Sequence, residues 1–317
     1  MYKEPIFFEP IFQERIWGGT SLQELYGFKI PNETTGEAWV ISAHENGPSI
    51  VKNGSLKGKN LLEVWNDYPH LFGEKTTTKE FPLLIKILDA NDNLSVQVHP
   101  DDKYARSHEG EKYGKTECWY ILDCEEDAEI IFGHMADSED EFRRKVKAGK
   151  WDDLLQRVKV KKGDFVYVPS GTIHAIGKGI IILETQQSSD ITYRVYDFDR
   201  TDNEGNKREL HIEQAINVTS YPHNVHAQDK VEKTIGNLFS TQLIAEKYFT
   251  VYHWQLDGKT ETPLYKDYLL MSVIEGKGKI VIEEKEYELN KGDSFIIPST
   301  VSEYVLNGTV EIIVSHT

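Results

Sequence analysis

The chain has 317 residues, 39% of them hydrophobic and 28% charged, with 13 Phe, 16 Tyr and 6 Trp. That composition supplies a sizeable core and excludes wholesale disorder. Asp and Glu number 52 against 36 Lys and Arg, a formal net charge of −16, which opposes nucleic-acid binding as a main activity and obliges any anion pocket to gather cations against the global field.

In chain order, short β-branched and aromatic runs between Gly, Pro, Asn and Asp predict strands at 38–42, 82–88, 95–98, 118–122, 129–132, 164–168 and 180–184. Further strands are predicted at 250–255, 268–274, 279–283, 294–297 and 310–314. Helices are fewer. They are expected at 61–68, 101–107 and 211–218, with a small helical insertion at about 136–158. In the insertion Ser138 and Glu141 read as a capping box, Phe142 and Val146 share a face, and a second short helix covers 152–158. Many short strands with turn signals between them predict a mainly β sandwich or barrel. The N-terminal residues carry no apolar core of signal-peptide length, and the longest aliphatic run, Ile180 to Leu183, is far below a membrane span. Cys118 and Cys124 cannot build a disulfide framework and read as reduced thiols of a cytoplasmic protein. No membrane partner is expected.

One motif occurs twice. Lys162-Gly163-Asp164, an apolar run and Pro169-Ser170 are echoed about 130 residues later by Lys291-Gly292-Asp293, an apolar run and Pro298-Ser299. Glycine permits the sharp turn before each run. The repetition predicts two copies of one β-barrel, divided near the polar stretch 225–236. Gly276-Lys277-Gly278 reads as a turn between strands rather than a phosphate loop, since no strand–loop–helix context follows. Tyr193 and Tyr196 read as core aromatics.

Beyond the first repeat the pattern runs Gly-Asp-x(4)-Pro-x-Gly-x(2)-His, ending at His174. It resembles the second motif of the cupin superfamily, whose histidine is a metal ligand. The other copy carries Glu303 at the matching place, so the second barrel is expected to hold no metal. Gln97 and His99 lie two apart on a strand and share a face, while Leu94, Val96 and Val98 are expected on the apolar face. Glu117 follows just before the next strand. Cupins supply a His-x-His-like pair and then a Glu, with Gln97 standing here for the first His. Gln97, His99, Glu117 and His174 form a mixed N/O set suited to Zn²⁺, and also to Mn²⁺, Fe²⁺ or Co²⁺. His44, His70, His108, His134, His211, His223, His226, His253 and His316 are read as ordinary hydrogen-bonded histidines. Lys86 interrupts an apolar strand and is expected to point into the barrel. Lys115 lies two residues before Glu117.

The segments Leu94 to Asp101, Gly114 to Tyr120, Gly163 to His174 and Ser188 to Asp197 together resemble type I mannose-6-phosphate isomerases, most closely the short bacterial form. Arg15 to Gly19 and Gly36 to Trp39 also fit. The resemblance implies two cupin barrels: a catalytic domain over 1–230 and a degenerate, metal-free one over 231–317. It implies one Zn²⁺ per chain on Gln97, His99, Glu117 and His174, and Arg194 as the catalytic arginine. Lys86, Ser95, Lys115, Glu184 and Asp190 are implied to bind substrate. The implied reaction is aldose–ketose isomerisation of mannose 6-phosphate and fructose 6-phosphate through a metal-stabilised enediolate. Lys115, Glu184, Asp190 and a zinc-bound water remain open as the base. The expected partner is a small sugar phosphate, and the expected state a monomer or weak homodimer. A large helical domain of longer family members is reduced here to roughly 136–158. Two other readings share the ligand set. An iron-dependent cupin dioxygenase needs no cluster of Lys86, Lys115 and Arg194. A non-catalytic sugar-phosphate-binding cupin binds without turnover.

Overall fold

Side-chain alternation along the strands sorts the chain into three antiparallel sheets. The computed structural model describes residues 2–73, 80–201, 204–225, 229–263 and 266–317. His226 and part of the 225–236 stretch lie outside the described residues. A six-stranded sheet runs in the order Phe165–Val168, Glu117–Cys124, Ile180–Gln187, Leu83–Ala90, Thr35–Ile41, Ile11–Gly19. A five-stranded sheet runs Tyr193–Tyr196, Val96–Val98, His174–Ile176, Glu129–His134, Leu155–Lys159. These two face each other around an inner apolar cluster that includes Trp17, Leu88, Leu94, Trp119, Ile176 and Ile182. Helices Glu139–Lys147 and Ile212–Val218 cover the outer face of the five-stranded sheet, where Phe142, Ala215 and Ile216 pack on Val96, Val98 and Ala175. The chain is therefore mainly β with a cupin architecture.

The third sheet has nine strands and takes all the strands from Val231 to the C-terminus. It also takes Ile6–Glu9 and Ile50–Val51 from the N-terminus, because Ile6 and Phe7 pair with Ile296 and Phe295. A shared core welds it to the outer face of the six-stranded sheet, with Ile85, Ile87, Tyr120 and Leu183 packed among Leu243, Phe249, Leu270 and Ile313.

The two motif copies adopt one geometry. Gly163 N–H donates to Ile121 O at 2.9 Å and Gly292 N–H to Val273 O at 2.9 Å. Asp164 and Asp293 each accept, through a carboxylate oxygen, the backbone N–H three residues earlier, at 2.9 and 2.8 Å. After each proline a turn closes, Thr172 N–H to Pro169 O and Val301 N–H to Pro298 O. His174 is buried, whereas Glu303 is exposed at a strand start.

Four local expectations are corrected. Residues 152–158 are not helical: Leu154 and Leu155 turn over Trp151 O, and Leu155–Lys159 then pairs with Glu129–His134. In the cap of Glu139–Lys147, Ser138 accepts from Glu141 N–H, but the Glu141 carboxylate takes the Asp137 N–H rather than the cap's own. Leu94 turns inward with the inner cluster, while Val96 and Val98 face outward. Gly276-Lys277-Gly278 is no turn. It lies inside one long strand, Leu269–Ile282, which also absorbs the separate strand expected at 279–283. There Gly258, Gly308 and Gly278 stand opposite one another on three neighbouring strands. A Cβ on Gly308 would come within 2.5 Å of Gly278 Cα, so side-chain-free residues allow this close crossing.

Candidate active site and metal centre

Sheet register builds the site. On the six-stranded sheet Lys86 is the direct partner of both Trp39 and Glu184, and Glu184 is the partner of Trp119. These four therefore form one inward-facing row across four strands. On the facing sheet Gln97 is the partner of both His174 and Arg194. The two rows enclose a cavity of about 440 Å³.

The metal-ligand expectation meets a compact cluster. Ligand atoms of His99, Glu117 and His174 lie within 4.8 Å of one another, and all three residues are buried. His99 Nδ1 faces Ile191 O at 2.7 Å and His174 Nδ1 faces Thr172 O at 2.9 Å. Each backbone carbonyl needs a donor, so each ring hydrogen sits on Nδ1 and each Nε2 lone pair is turned inward. Burial drops the His174 imidazole to about 4, and burial followed by the Lys115 charge holds His99 well below the usual histidine range. Both rings are thus neutral donors at physiological pH. Gln97 places its side-chain amide 3.3 Å from His174 Nε2, adjoining the three. Two neutral imidazoles, one carboxylate and one amide suit a divalent cation.

The expected polar residues surround this centre. Lys115 Nζ is 2.6 Å from Glu117 Oε2 and 3.1 Å from His99 Nε2. Burial lowers the Lys115 ammonium pKa, but Glu117 and Glu184 outweigh it and the net shift is upward, so it stays charged. Lys86 points inward as expected, 3.7 Å from both Glu37 and Glu184 and 4.9 Å above the Trp39 ring. Trp119 Nε1 is shared by Glu117 at 3.1 Å and Glu184 at 3.2 Å. Burial and then the Glu117 charge push the Glu184 carboxyl up to about 7. Arg194 donates from Nε to Ser95 Oγ at 3.3 Å and from Nη1 to Glu209 O at 2.8 Å. Asp190, at the rim, is taken up by Asn46 and His44 and forms no ion pair with Arg194.

Sequence reasoning missed several wall residues. Trp119 lies two positions after Glu117, hence on the same strand face, and that spacing was visible. Glu37 and Arg15 sit in segments singled out above. The two pair through both carboxylate oxygens at 2.9 and 3.3 Å. For Glu37, burial pushes the carboxyl pKa up, but Lys86 and Arg15 outweigh it and hold it at about 2. Arg208 comes from a loop without periodicity, is forked onto Asp197 at 2.6 and 2.7 Å, and reaches the cavity beside Arg194. Arg15, Lys86, Lys115, Arg194 and Arg208 thus line one cavity of a strongly acidic protein.

The chain matches the family model for the phosphomannose isomerase type I catalytic domain over residues 6–131 and that for the mannose-6-phosphate isomerase cupin domain over 240–317. It is 52% identical over 321 residues to mannose-6-phosphate isomerase ManA of Bacillus subtilis (strain 168), covering 100% of both chains. It is also 52% identical over 313 residues to a mannose-6-phosphate isomerase of Streptococcus mutans, covering 99% of this chain and 98% of that one. The crystal structure of the mannose 6-phosphate isomerase from Bacillus subtilis superimposes with a TM-score of 0.97 at 48% identity, covering 99% of each chain.

Proposed function

Because the chain belongs to the type I phosphomannose isomerases, we propose that it interconverts mannose 6-phosphate and fructose 6-phosphate, with one Zn²⁺ held by Gln97, His99, Glu117 and His174. The observation that carries this reading is the convergence of His99, Glu117 and His174, the last two in the wall of a cavity lined by five cations.

The reaction takes the proton from C2, beside the C1 carbonyl, and returns it to C1 through an enediolate, while the O2 hydroxyl proton passes to O1 so that the carbonyl ends at C2. A divalent cation held there supplies a Lewis acid where negative charge grows on the sugar oxygens. The chain's own residues do the rest. Glu184 is the best-suited proton carrier: a buried carboxyl at about 7 accepts and releases a proton near neutrality. Lys115 remains an ammonium and stabilises charge rather than taking the proton. Lys86 holds Glu184 from the other side and presents a second cation to the sugar oxygens. Arg208 suits the phosphate, and Arg194, paired in register with Gln97, suits the oxyanion that develops nearer the metal end. Burial and then the Arg208 charge lower the Arg194 pKa, and bound negative charge relieves that repulsion. Ser95 fixes Arg194 Nε.

Cys118 and Cys124 are unpaired, and no helix among the described residues is long and apolar enough to cross a membrane. A cytoplasmic setting and a monomer or weak homodimer belong to the same reading. The test is a coupled assay of fructose 6-phosphate formation from mannose 6-phosphate on the metal-replete protein and on His174→Ala. Turnover that vanishes with His174 supports the proposal, and no turnover by the wild type contradicts it.

A further inference from the structure

Among the described residues, Asp190 is the cavity carboxylate that makes no ion pair with lysine or arginine; Glu37, Glu117 and Glu184 all do. Two side chains of one turn hold it instead. Asn46 donates from Nδ2 to Asp190 Oδ2 at 2.6 Å, and His44 Nε2 lies 3.7 Å from Oδ1. The Asn46 backbone N–H donates to His44 Nδ1 at 3.2 Å. Nδ1 is therefore an acceptor, and an Nε2 hydrogen faces the carboxylate. The turn is itself fixed. His44 N–H donates to Ser42 Oγ at 3.2 Å, Gly47 N–H to His44 O at 3.0 Å, and the Gln13 amide to Asn46 O at 3.3 Å. The His44 ring meets Trp39 edge-on at 5.6 Å, and Trp39 carries Lys86 over its face. The turn and the catalytic wall thus share one rigid reference.

A rim carboxylate without such anchors would exchange rotamers in solvent. The Asn46 amide fixes one carboxylate oxygen and leaves lone pairs for the sugar. The neighbouring Ile191 carbonyl also orients His99, so the position of Asp190 is tied to the metal pole.

We infer that His44 and Asn46 are positioning residues for the isomerisation, holding the Asp190 carboxylate over the cavity as a hydrogen-bond acceptor for sugar hydroxyls. The inference rests on the isomerase reading above. It is tested by kcat/KM for mannose 6-phosphate in wild type, Asn46→Ala, His44→Leu, His44→Gln, Asp190→Ala and the double variant Asn46→Ala with Asp190→Ala. Asn46 is exposed, so its truncation leaves the fold intact. Asn46→Ala is expected to lower kcat/KM about tenfold, the scale of a hydrogen bond to a charged group, and His44→Leu about threefold, since its Nε2 stands 3.7 Å from Oδ1. His44→Gln restores an N–H donor and most of the loss. In the Asp190→Ala background, Asn46→Ala costs less than about twofold more, because its partner is gone. A full, additive cost in that background, or no cost of Asn46→Ala alone, overturns the inference. Wild type without turnover overturns the isomerase reading and this inference with it.

Discussion

The Lys115 ammonium donates to Glu117 Oε2 at 2.6 Å while also reaching His99 Nε2 at 3.1 Å, so it touches two of the three clustered residues that could hold a metal. A divalent cation held by His99 would use the Nε2 lone pair that Lys115 addresses. The two positive charges therefore compete for one pole. Lys115→Met removes the competitor and leaves Glu117 more available, so zinc affinity should rise by about tenfold or more, given the Coulomb energy of charges about 4 Å apart near a protein interior. Turnover should fall, because a cation beside the developing oxyanion is lost. Chelator competition measures the first effect and steady-state kinetics the second. Unchanged or weaker zinc binding would refute the competition.

Glu184 shares the Trp119 indole N–H with Glu117 and lies between Lys86 and Lys115. Glu184→Gln keeps the shape and a hydrogen-bond acceptor but cannot carry the proton. It should lower kcat by about 10²–10⁴-fold with zinc content intact. Elemental analysis beside kinetics separates this from loss of the metal site. A variant with near-normal kcat would remove Glu184 from the proton path.

Arg194 and Arg208 divide along a different line. Arg194 is the register partner of Gln97 and stands beside the metal pole, so Arg194→Ala should reduce kcat sharply with metal retained. Arg208→Ala should chiefly raise KM, by about tenfold, and weaken competitive inhibition by inorganic phosphate in parallel. Equal inhibition of both proteins by phosphate would place the anion elsewhere.

Asp197 gives a stability prediction. Burial alone raises its pKa, but hydrogen bonds from Arg208 and Arg200 outweigh it and hold the carboxyl below the usual aspartate range. The unfolded chain therefore binds more protons than the native one between that lowered value and about 4, and stability rises with pH across this window. The contribution is fully present above about pH 4 and is lost as pH falls through the folded value. Asp197→Asn should cost about 2 kcal/mol at neutral pH and should flatten the acid side of a Tm-against-pH curve. Parallel wild-type and variant curves below pH 4 would contradict the assignment.

Much of this site was legible because strand periodicity is a local signal. Gln97 and His99 two apart, Lys86 breaking an apolar run, and the Gly-Asp repeat each declare a face or a turn without tertiary knowledge. Cross-strand register is not local. Nothing in the chain announces that Lys86, Glu184 and Trp119 stand opposite one another, since pairing depends on strands 65 to 98 residues apart. Arg208 and Asn46 lie in irregular segments where no period marks a direction. The misreading of 152–158 has a specific cause. Leu154, Leu155 and Val158 mimic helical spacing, but the strand Glu129–His134 offers backbone partners that outweigh propensity.

The central claim is that one divalent cation is gripped by Gln97, His99, Glu117 and His174. The most direct measurement is the metal content of purified wild type against His99→Ala and His174→Ala, with the ion located by anomalous scattering. The account predicts one zinc per wild-type chain at the meeting point of these side chains, and its loss from both variants. Zinc retained in stoichiometric amount by both variants, or located away from His99, Glu117 and His174, would contradict it.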